Sequence, residues 1–343
     1  MLPESTTRMK NEILEIPDVV ERLLLQGAGS VKATADEVRN LDPRFFLSVA
    51  RGSSDHAATY LKYVSELLLG VPMASIGPSI KSIYDVDIAA KGTMCIAVSQ
   101  SGQSPDIASL TKALGEAGAY TVAITNEMGS PLAQSTSATL PIHAGKELSV
   151  AATKTFVTSM VAGLWLLAEL KADAGLLRAI HALPDHLAKA TQCDWSSAVD
   201  SVDRNSLFSL GRGPSLAISN EAALKFKETC QIHAESYSTA EVLHGPVSIV
   251  EGGYPVLAFA AADAAEDSVA DVADALAQKG ANVFATTEKV RKANCLPHVR
   301  TDHWITDPIA SIVSFYGMVE QVAARRGINP DTPRHLQKVT ETV

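Results

Sequence analysis

Along most of this chain, short apolar runs alternate with stretches whose apolar positions recur at helical spacing. That alternation predicts an α/β protein whose strands form a mainly parallel sheet. The runs at 45–50, 94–99, 120–125, 208–210, 256–260 and 282–285 predict strands, and 9–25, 106–114, 221–232 and 309–325 predict helices. The most apolar helical stretch, 155–168, lies between Lys154 and Glu169. It is too short to span a bilayer and predicts a buried core helix.

The runs come in two sets. Phe46-Leu47-Ser48-Val49-Ala50-Arg51-Gly52, ahead of an amphipathic helix, is echoed by Phe208-Ser209-Leu210-Gly211-Arg212-Gly213 ahead of another. The strand, loop, helix and strand of 92–126, with Gly118 before the last strand, are echoed by 253–288 with Gly280 in that place. Both echoes lie about 160 residues apart, as a tandem duplication leaves them. The expectation is two copies of one nucleotide-binding-like α/β domain.

A length of 343 residues suits about two domains, each able to bury its own core without a disulfide or a metal. Cys95, Cys193, Cys230 and Cys295 are far apart and form no CxxC pair, which points to a reducing cytoplasm. The polar N-terminus, with Pro3 and Glu4, lacks the apolar core of a signal peptide. A cytoplasmic protein with no membrane segment is expected. Lys plus Arg number 29 against 38 Asp plus Glu, a net charge of -9, and no long basic run appears. Nucleic acid is therefore not an expected partner. An anionic substrate has to be met locally, by helix N-termini and hydroxyls, because the overall field repels it.

The first copy offers such a place. Its strand at 94–98 runs into Ser99-Gln100-Ser101-Gly102-Gln103-Ser104, and Pro105 then opens a helix. Ser104 as N-cap with proline at the first helical position marks the helix start. Backbone N–H groups, the helix dipole, three hydroxyls and a side-chain amide would converge beyond the carboxyl end of a strand, where open α/β sheets bind ligands. An ordinary strand-to-helix turn is the alternative, since Ser, Gln and Gly are common in turns. The matching stretch of the second copy, Ala260-Ala261-Ala262-Asp263, has lost the hydroxyls and gained a carboxylate.

A second constellation lies at Leu224-Lys225-Phe226-Lys227-Glu228, His233-Ala234-Glu235 and Leu243-His244-Gly245-Pro246. On a helix over 221–232, Leu224, Glu228 and Ile232 stack at four-residue spacing with Lys225 beside them. A carboxylate on a partly apolar stripe is desolvated, and a nearby ammonium opposes that shift, a competition that can poise a general base near neutrality. A plain surface pair at i, i+3 is the alternative. His244, fixed by Gly-Pro, is either a proton-transfer group or a turn residue, and His233-Ala234-Glu235 reads as packing. Gly211-Arg212-Gly213-Pro214 lacks the third glycine of a dinucleotide fingerprint. Cys295, His298, Asp302 and His303 show no fixed metal-ligand spacing, so neither a metal nor another cofactor is expected.

These motifs resemble the isomerase half of glucosamine-6-phosphate synthase and, more broadly, the double sugar-isomerase (SIS) family, whose pattern runs Ala-Leu-Lys-x-Lys-Glu, Ile-His-Ala-Glu, His-Gly-Pro. The resemblance extends from the N-terminal helix to Lys338. It implies a tandem repeat of two flavodoxin-like, three-layer α/β/α SIS domains with mainly parallel sheets, expected at 1–180 and 181–343. The family's phosphate loop is Ser-Gln-Ser-Gly-Glu-Thr, and Gln103 and Ser104 replace its last two residues here. By the resemblance Ser99, Gln100, Ser101 and Ser104 hold the phosphate, with Ser54 and the backbone near Val150 completing the sugar pocket. The tail Pro333-Arg334-His335-Leu336-Gln337-Lys338 is similar to the synthase's closing Pro-Arg-Asn-Leu-Ala-Lys, whose lysine forms a Schiff base with the open-chain sugar.

The resemblance also implies roles. His244 assists ring opening, Glu228 moves a proton between C2 and C1, Lys338 forms an imine, and Lys225 steadies developing negative charge. A homodimer is implied, because in the synthase the His-Gly-Pro histidine comes from a neighbouring subunit. Met1-Leu2 leads almost directly into the isomerase region, so no built-in glutaminase is expected. The Val-Thr-Glu-Thr ending is more like that of stand-alone aminosugar-phosphate deaminases. The expected substrate is a hexose phosphate or aminosugar phosphate, with glucosamine 6-phosphate deamination to fructose 6-phosphate as the leading reaction. Galactosamine 6-phosphate deamination, fructosamine 6-phosphate deglycation and non-catalytic sugar-phosphate sensing are the alternatives. The last is disfavoured by the retention of Glu228, His244 and Lys338 and by the lack of room for a DNA-binding head.

Overall fold

The computed structural model describes residues 6–338. Residues 1–5, half of the polar stretch 1–10 that lacks a signal-peptide core, and 339–343, which carry the Val-Thr-Glu-Thr ending, lie outside the described residues. The chain divides into two compact units. One contains Asp18–Glu147 and Lys154–His181 together with Gln337 and Lys338; the other contains the N-terminal segment up to Pro17, Leu148–Thr153 and Ala182–Leu336.

In the first unit, β1 (Phe46–Val49), β2 (Met73–Ser75), β3 (Met94–Val98), β4 (Tyr120–Thr125) and β5 (Ala138–Pro141) form a sheet in the order β2-β1-β3-β4-β5. Every pairing is parallel, with β3 against β4 in register from Met94↔Tyr120 to Val98↔Ile124. Strands covered by helices on both faces are rich in apolar side chains, and β1, with Ser48 as its one polar residue, and β3 are buried throughout. Leu47, Val49, Cys95, Ala97 and Ala123 share one core with Ile107, Leu110 and Leu114 of the helix Pro105–Glu116. The helices Ser53–Leu69 and Lys154–Lys171 pack on each other and on the sheet. Lys154–Lys171 is buried from Lys154 to Ala168, as its uniform apolarity predicts.

The second unit repeats the plan. β6 (Ser206–Gly211), β7 (His233–Ser238), β8 (Pro255–Phe259), β9 (Asn282–Ala285) and β10 (Asn294–Cys295) run in the order β10-β9-β8-β6-β7, all parallel. From the opposite edge this is the order of the first sheet with each strand replaced by its counterpart, the 2-1-3-4-5 winding of flavodoxin-like folds. Leu210, Val256, Ala258 and Val283 pack with Val269, Ala273 and Leu276 of the helix Glu266–Gln278. Elsewhere in this unit Phe315, on the helix Asp307–Arg325, meets Phe226 and Phe259 edge-on at 5.3 and 5.9 Å.

Three expectations need correcting. The helix expected over 9–25 is two helices, Arg8–Leu14 and Ile16–Gln26, with Pro17 in the opening turn of the second. The helix expected over 221–232 belongs to Ser215–Lys225 and then widens into a π-helical turn, Phe226–Cys230. Gln231 ends it in the left-handed conformation (φ 55°), so Ile232 does not stack under Glu228. Finally, the tail after Gly327 is a string of turns with Pro330 and Pro333 buried, not an extended segment. The Asp331 carboxylate accepts the N–H groups of Arg8 (2.9 Å) and Met9 (2.8 Å), anchoring the tail on the first turn of the N-terminal helix.

Candidate active site

The 2-1-3-4-5 order reverses direction between β1 and β3, and open α/β sheets bind ligands beyond the carboxyl ends of such a strand pair. In the first unit this crevice is bordered by the loop Ser99 to Ser104 after β3 and by the start of the helix Ser53–Leu69 after β1. Ser99 is buried, and its Oγ accepts the Gly102 N–H at 3.2 Å; the Ser101 Oγ accepts the Gln103 N–H at 3.3 Å. Hydroxyls used this way as acceptors keep their protons for an anion. The Gln100 carbonyl is held by the Asn126 N–H (3.0 Å) and the Thr125 hydroxyl (3.2 Å), so the loop is braced from β4. Gly102 adopts φ 60°, and a Cβ there would run into the Ser130 hydroxyl, so the turn requires glycine.

Ser104 has the extended backbone of an N-cap and Pro105 follows at the first helical position, but the Ser104 hydroxyl does not close onto its own helix. Ser54 lies half-buried in the first turn of Ser53–Leu69. Sequence reasoning passed over a cation at this rim. Arg51, just after β1, places Nε 2.6 Å from Oδ2 of the buried Asp106 in the first turn of Pro105–Glu116. The signal was present, since Arg51 is matched by Arg212 in the repeat.

The same unit contains Lys338, whose Nζ lies 2.7 Å from Oε2 of Glu147, a carboxylate with a fully enclosed side chain. Glu147 also accepts the Thr155 N–H (3.2 Å) and hydroxyl (2.7 Å) at the start of Lys154–Lys171. Nothing in the local sequence announces the pairing of Glu147 with Lys338, because the two are 191 residues apart.

The proton-transfer candidates belong to the other unit. Lys225 is fully enclosed and paired with Glu221 at 3.3 Å and, more closely, with Glu228, so the surface-pair alternative does not hold. Burial pulls the Lys225 pKa down, but the two carboxylates outweigh it and the ammonium is stabilised well above its ordinary range. Glu228 sits in the π-helical turn with its side chain 20% exposed. His244 is exposed between two 3-10 turns, Glu241–Leu243 and Pro246–Ile249, with Gly245 at φ 138° behind it. The Val150 N–H donates to the Asp331 carbonyl at 3.3 Å, tying this backbone to the tail. His233 and Glu235 belong to β7, where Glu235 accepts the Tyr237 hydroxyl at 2.7 Å.

Comparison with known proteins decides the family. The pattern defining the SIS domain matches residues 44–169 and again 202–325. The chain belongs to the SIS family. This SIS chain is 34% identical over 346 residues to the glutamine–fructose-6-phosphate aminotransferase (isomerizing) of Pyrobaculum aerophilum, covering 96% of this chain and 56% of that protein. It thus spans about half the length of the curated relatives it matches. A crystal structure of a candidate phosphosugar isomerase from Silicibacter pomeroyi DSS-3 superposes with a TM-score of 0.92 at 59% identity, over 95% of this chain and all of that one. Glucosamine-6-phosphate deaminase from Thermotoga maritima shares the fold, with a TM-score of 0.79 at 21% identity over 98% of this chain and all of that one.

The two SIS copies differ where ligand chemistry would sit. In the second, the Arg300 guanidinium bonds the Ala260 and Thr286 carbonyls and Glu266, while Asp307 accepts the Ala262 N–H at 2.9 Å. Asp263, half-buried, has its pKa pushed up by burial. A loop stitched by its own ion pairs and edged by a carboxylate is ill-suited to an anion. Among the described residues no cluster of His, Cys, Asp and Glu could hold a metal ion, and no helix is long and apolar enough to cross a membrane. The His298 Nδ1 contacts the Leu296 carbonyl, and Asp302 contacts His186 at 3.1 Å.

Proposed function

We propose that this SIS protein is a phosphosugar aldose-ketose isomerase/deaminase converting glucosamine 6-phosphate and water to fructose 6-phosphate and ammonia. The observation that carries the reading is the hydroxyl-rich loop at the strand-order reversal of the first sheet, in the unit that also contains Lys338. Ser99, Gln100, Ser101 and Ser104 hold the phosphate with the N-terminus of Pro105–Glu116, and Arg51 adds a cation at the rim. Ser54, half-buried in the first turn of Ser53–Leu69, borders the sugar pocket. The named activity of the Pyrobaculum relative and the fold shared with the Thermotoga deaminase support a phosphosugar substrate.

In the proposed sequence His244 moves the O1 proton to the ring oxygen, opening the sugar to a 2-amino aldehyde. Glu228 takes the C2 proton and returns one at C1, leaving a C2 imine and a C1 alcohol. Water adds at C2 and ammonia leaves, or the Lys338 amine first displaces ammonia and the lysyl imine is then hydrolysed. The enclosure of Lys225 favours a role through Glu228, fixing that carboxylate and offsetting charge as the enolate-like state develops. The exposure of His244 on its own unit suits a residue lent to a second copy, so a homodimer is part of the proposal.

The test is ammonia release coupled to fructose 6-phosphate detection, with glucosamine 6-phosphate and galactosamine 6-phosphate run in parallel. Release from the first substrate is expected. Release from galactosamine 6-phosphate alone moves the assignment to that epimer. Silence with both, accompanied by a phosphosugar-induced rise in melting temperature, favours a deglycase or a sensor. Glu228→Gln is expected to lower turnover by at least about a hundredfold while sugar-phosphate binding persists; near-normal turnover would remove Glu228 as the base.

A further inference from the structure

We infer that Glu147 is the positioning residue of Lys338. The inference rests on the reading of Lys338 as the imine-forming lysine, and it adds what holds that lysine. The Glu147 side chain is fully enclosed, which is costly for a carboxylate unless its oxygens are met by donors. Those donors include the Thr155 N–H, the Thr155 hydroxyl and the Lys338 ammonium.

The placement is specific. Thr155 is the second residue of Lys154–Lys171, a helix of 18 residues, so Glu147 also sits at the positive end of a long dipole. The carboxylate is therefore fixed independently of the lysine and can act as a rigid post. Lys338 has the opposite character: its chain lies in a tail of turns and its side chain is 26% exposed. A four-carbon amine on such a tail has many rotamers, and imine formation needs its nitrogen at one point. The charge-assisted bond to Glu147 supplies that restriction.

The chemistry to be read out is the imine itself. The Lys338 amine adds to the C2 carbonyl of fructose 6-phosphate, water leaves, and the resulting C=N bond accepts hydride from cyanoborohydride to give a stable secondary amine. Full-length protein is incubated with fructose 6-phosphate and cyanoborohydride, and the modified residue is located by peptide mass mapping. Wild type is expected to be modified at Lys338. Glu147→Gln, which keeps size and an acceptor but not the charge, is expected to trap at least about tenfold more slowly at saturating sugar. Its fructose 6-phosphate-induced rise in melting temperature should be retained, because the phosphate loop is untouched. Thr155→Val keeps the carboxylate but removes its hydroxyl donor, and should give a smaller loss; it stands in should Glu147→Gln fail to fold.

The outcomes separate the two ideas. If wild type is not trapped at Lys338, the imine reading falls and this inference falls with it. If wild type is trapped and both variants trap at the wild-type rate, the imine reading stands and the positioning role of Glu147 is overturned. A slower rate accompanied by loss of sugar-phosphate binding would also overturn it, since Glu147 would then be supporting the pocket as a whole.

Discussion

Lys225 keeps its charge in a fully enclosed position because Glu221 and Glu228 stand on either side of it. Removing one partner from such a cluster leaves an uncompensated buried charge, which typically costs about 3–5 kcal/mol. Lys225→Met, close in shape but uncharged, is therefore expected to lower unfolding stability by about that amount in denaturant titrations. The pH dependence follows from the raised pKa of the ammonium. A raised lysine pKa contributes stability that is complete below the unfolded value of about 10.4 and is lost as pH rises through the higher folded value. The gap between wild type and variant should thus stay level from about pH 6 to 9 and narrow only above about pH 10.5. A gap that already narrows across neutral pH would mean that Lys225 is not held charged. The spacing of Glu221, Lys225 and Glu228 was legible, since partners three and four residues apart meet on one helix. Arg51–Asp106 and Lys338–Glu147 were not, because tertiary folding brings together groups 55 and 191 residues apart.

At the scale of elements, legibility followed depth in the sheet. The strands expected from apolar runs were β1, β3, β4, β6, β8 and β9, and each of them is interior. The four that sequence reading passed over, β2, β5, β7 and β10, are the edges of the two sheets. An edge strand has one neighbour and a more open face, so His233-Ala234-Glu235-Ser236-Tyr237-Ser238 and Asn294-Cys295 carry no apolar run to announce them. The π-helical turn at Phe226–Cys230 was hidden for another reason: inserting one residue per turn changes the face a side chain occupies without changing composition. Interior packing also sets where stability is concentrated. Phe315 is fully buried between Phe226 and Phe259, so Phe315→Ala is expected to cost about 3–5 kcal/mol in the unit containing the second sheet. Hydrogen exchange would check it, with β8 and the helix Asp307–Arg325 losing protection; unchanged protection there would show that the aromatic cluster is not a keystone of that core.

Across the whole molecule, duplication produced two sheets with the same strand order, yet only one retains a loop suited to an anion. The difference is chemical. Ser99 and Ser101 turn hydroxyl oxygens to their own loop N–H groups, whereas the counterpart after β8 spends its polar capacity on Arg300, Glu266 and Asp307. Such divergence is what a duplicated site permits: the proposed function assigns the ligand to the first copy, and the second stiffens its own loop and carries Lys225 and Glu228. The hydroxyl loss was visible in the sequence, but the ion pairs replacing it were not, because Arg300 lies 40 residues from the loop carbonyl it holds. A stoichiometric prediction belongs at this scale. Fructose 6-phosphate should bind with one site per chain by titration calorimetry, and bound sugar should slow hydrogen exchange in peptides covering 99–108 while leaving 260–269 unchanged. Two sites per chain, or protection of both loops, would mean that the second copy still binds phosphate despite its ion pairs. Replacing Ser99 and Ser101 together by alanine removes the two hydroxyls that distinguish the first loop, and should abolish the single site while leaving the protection of 260–269 as in wild type.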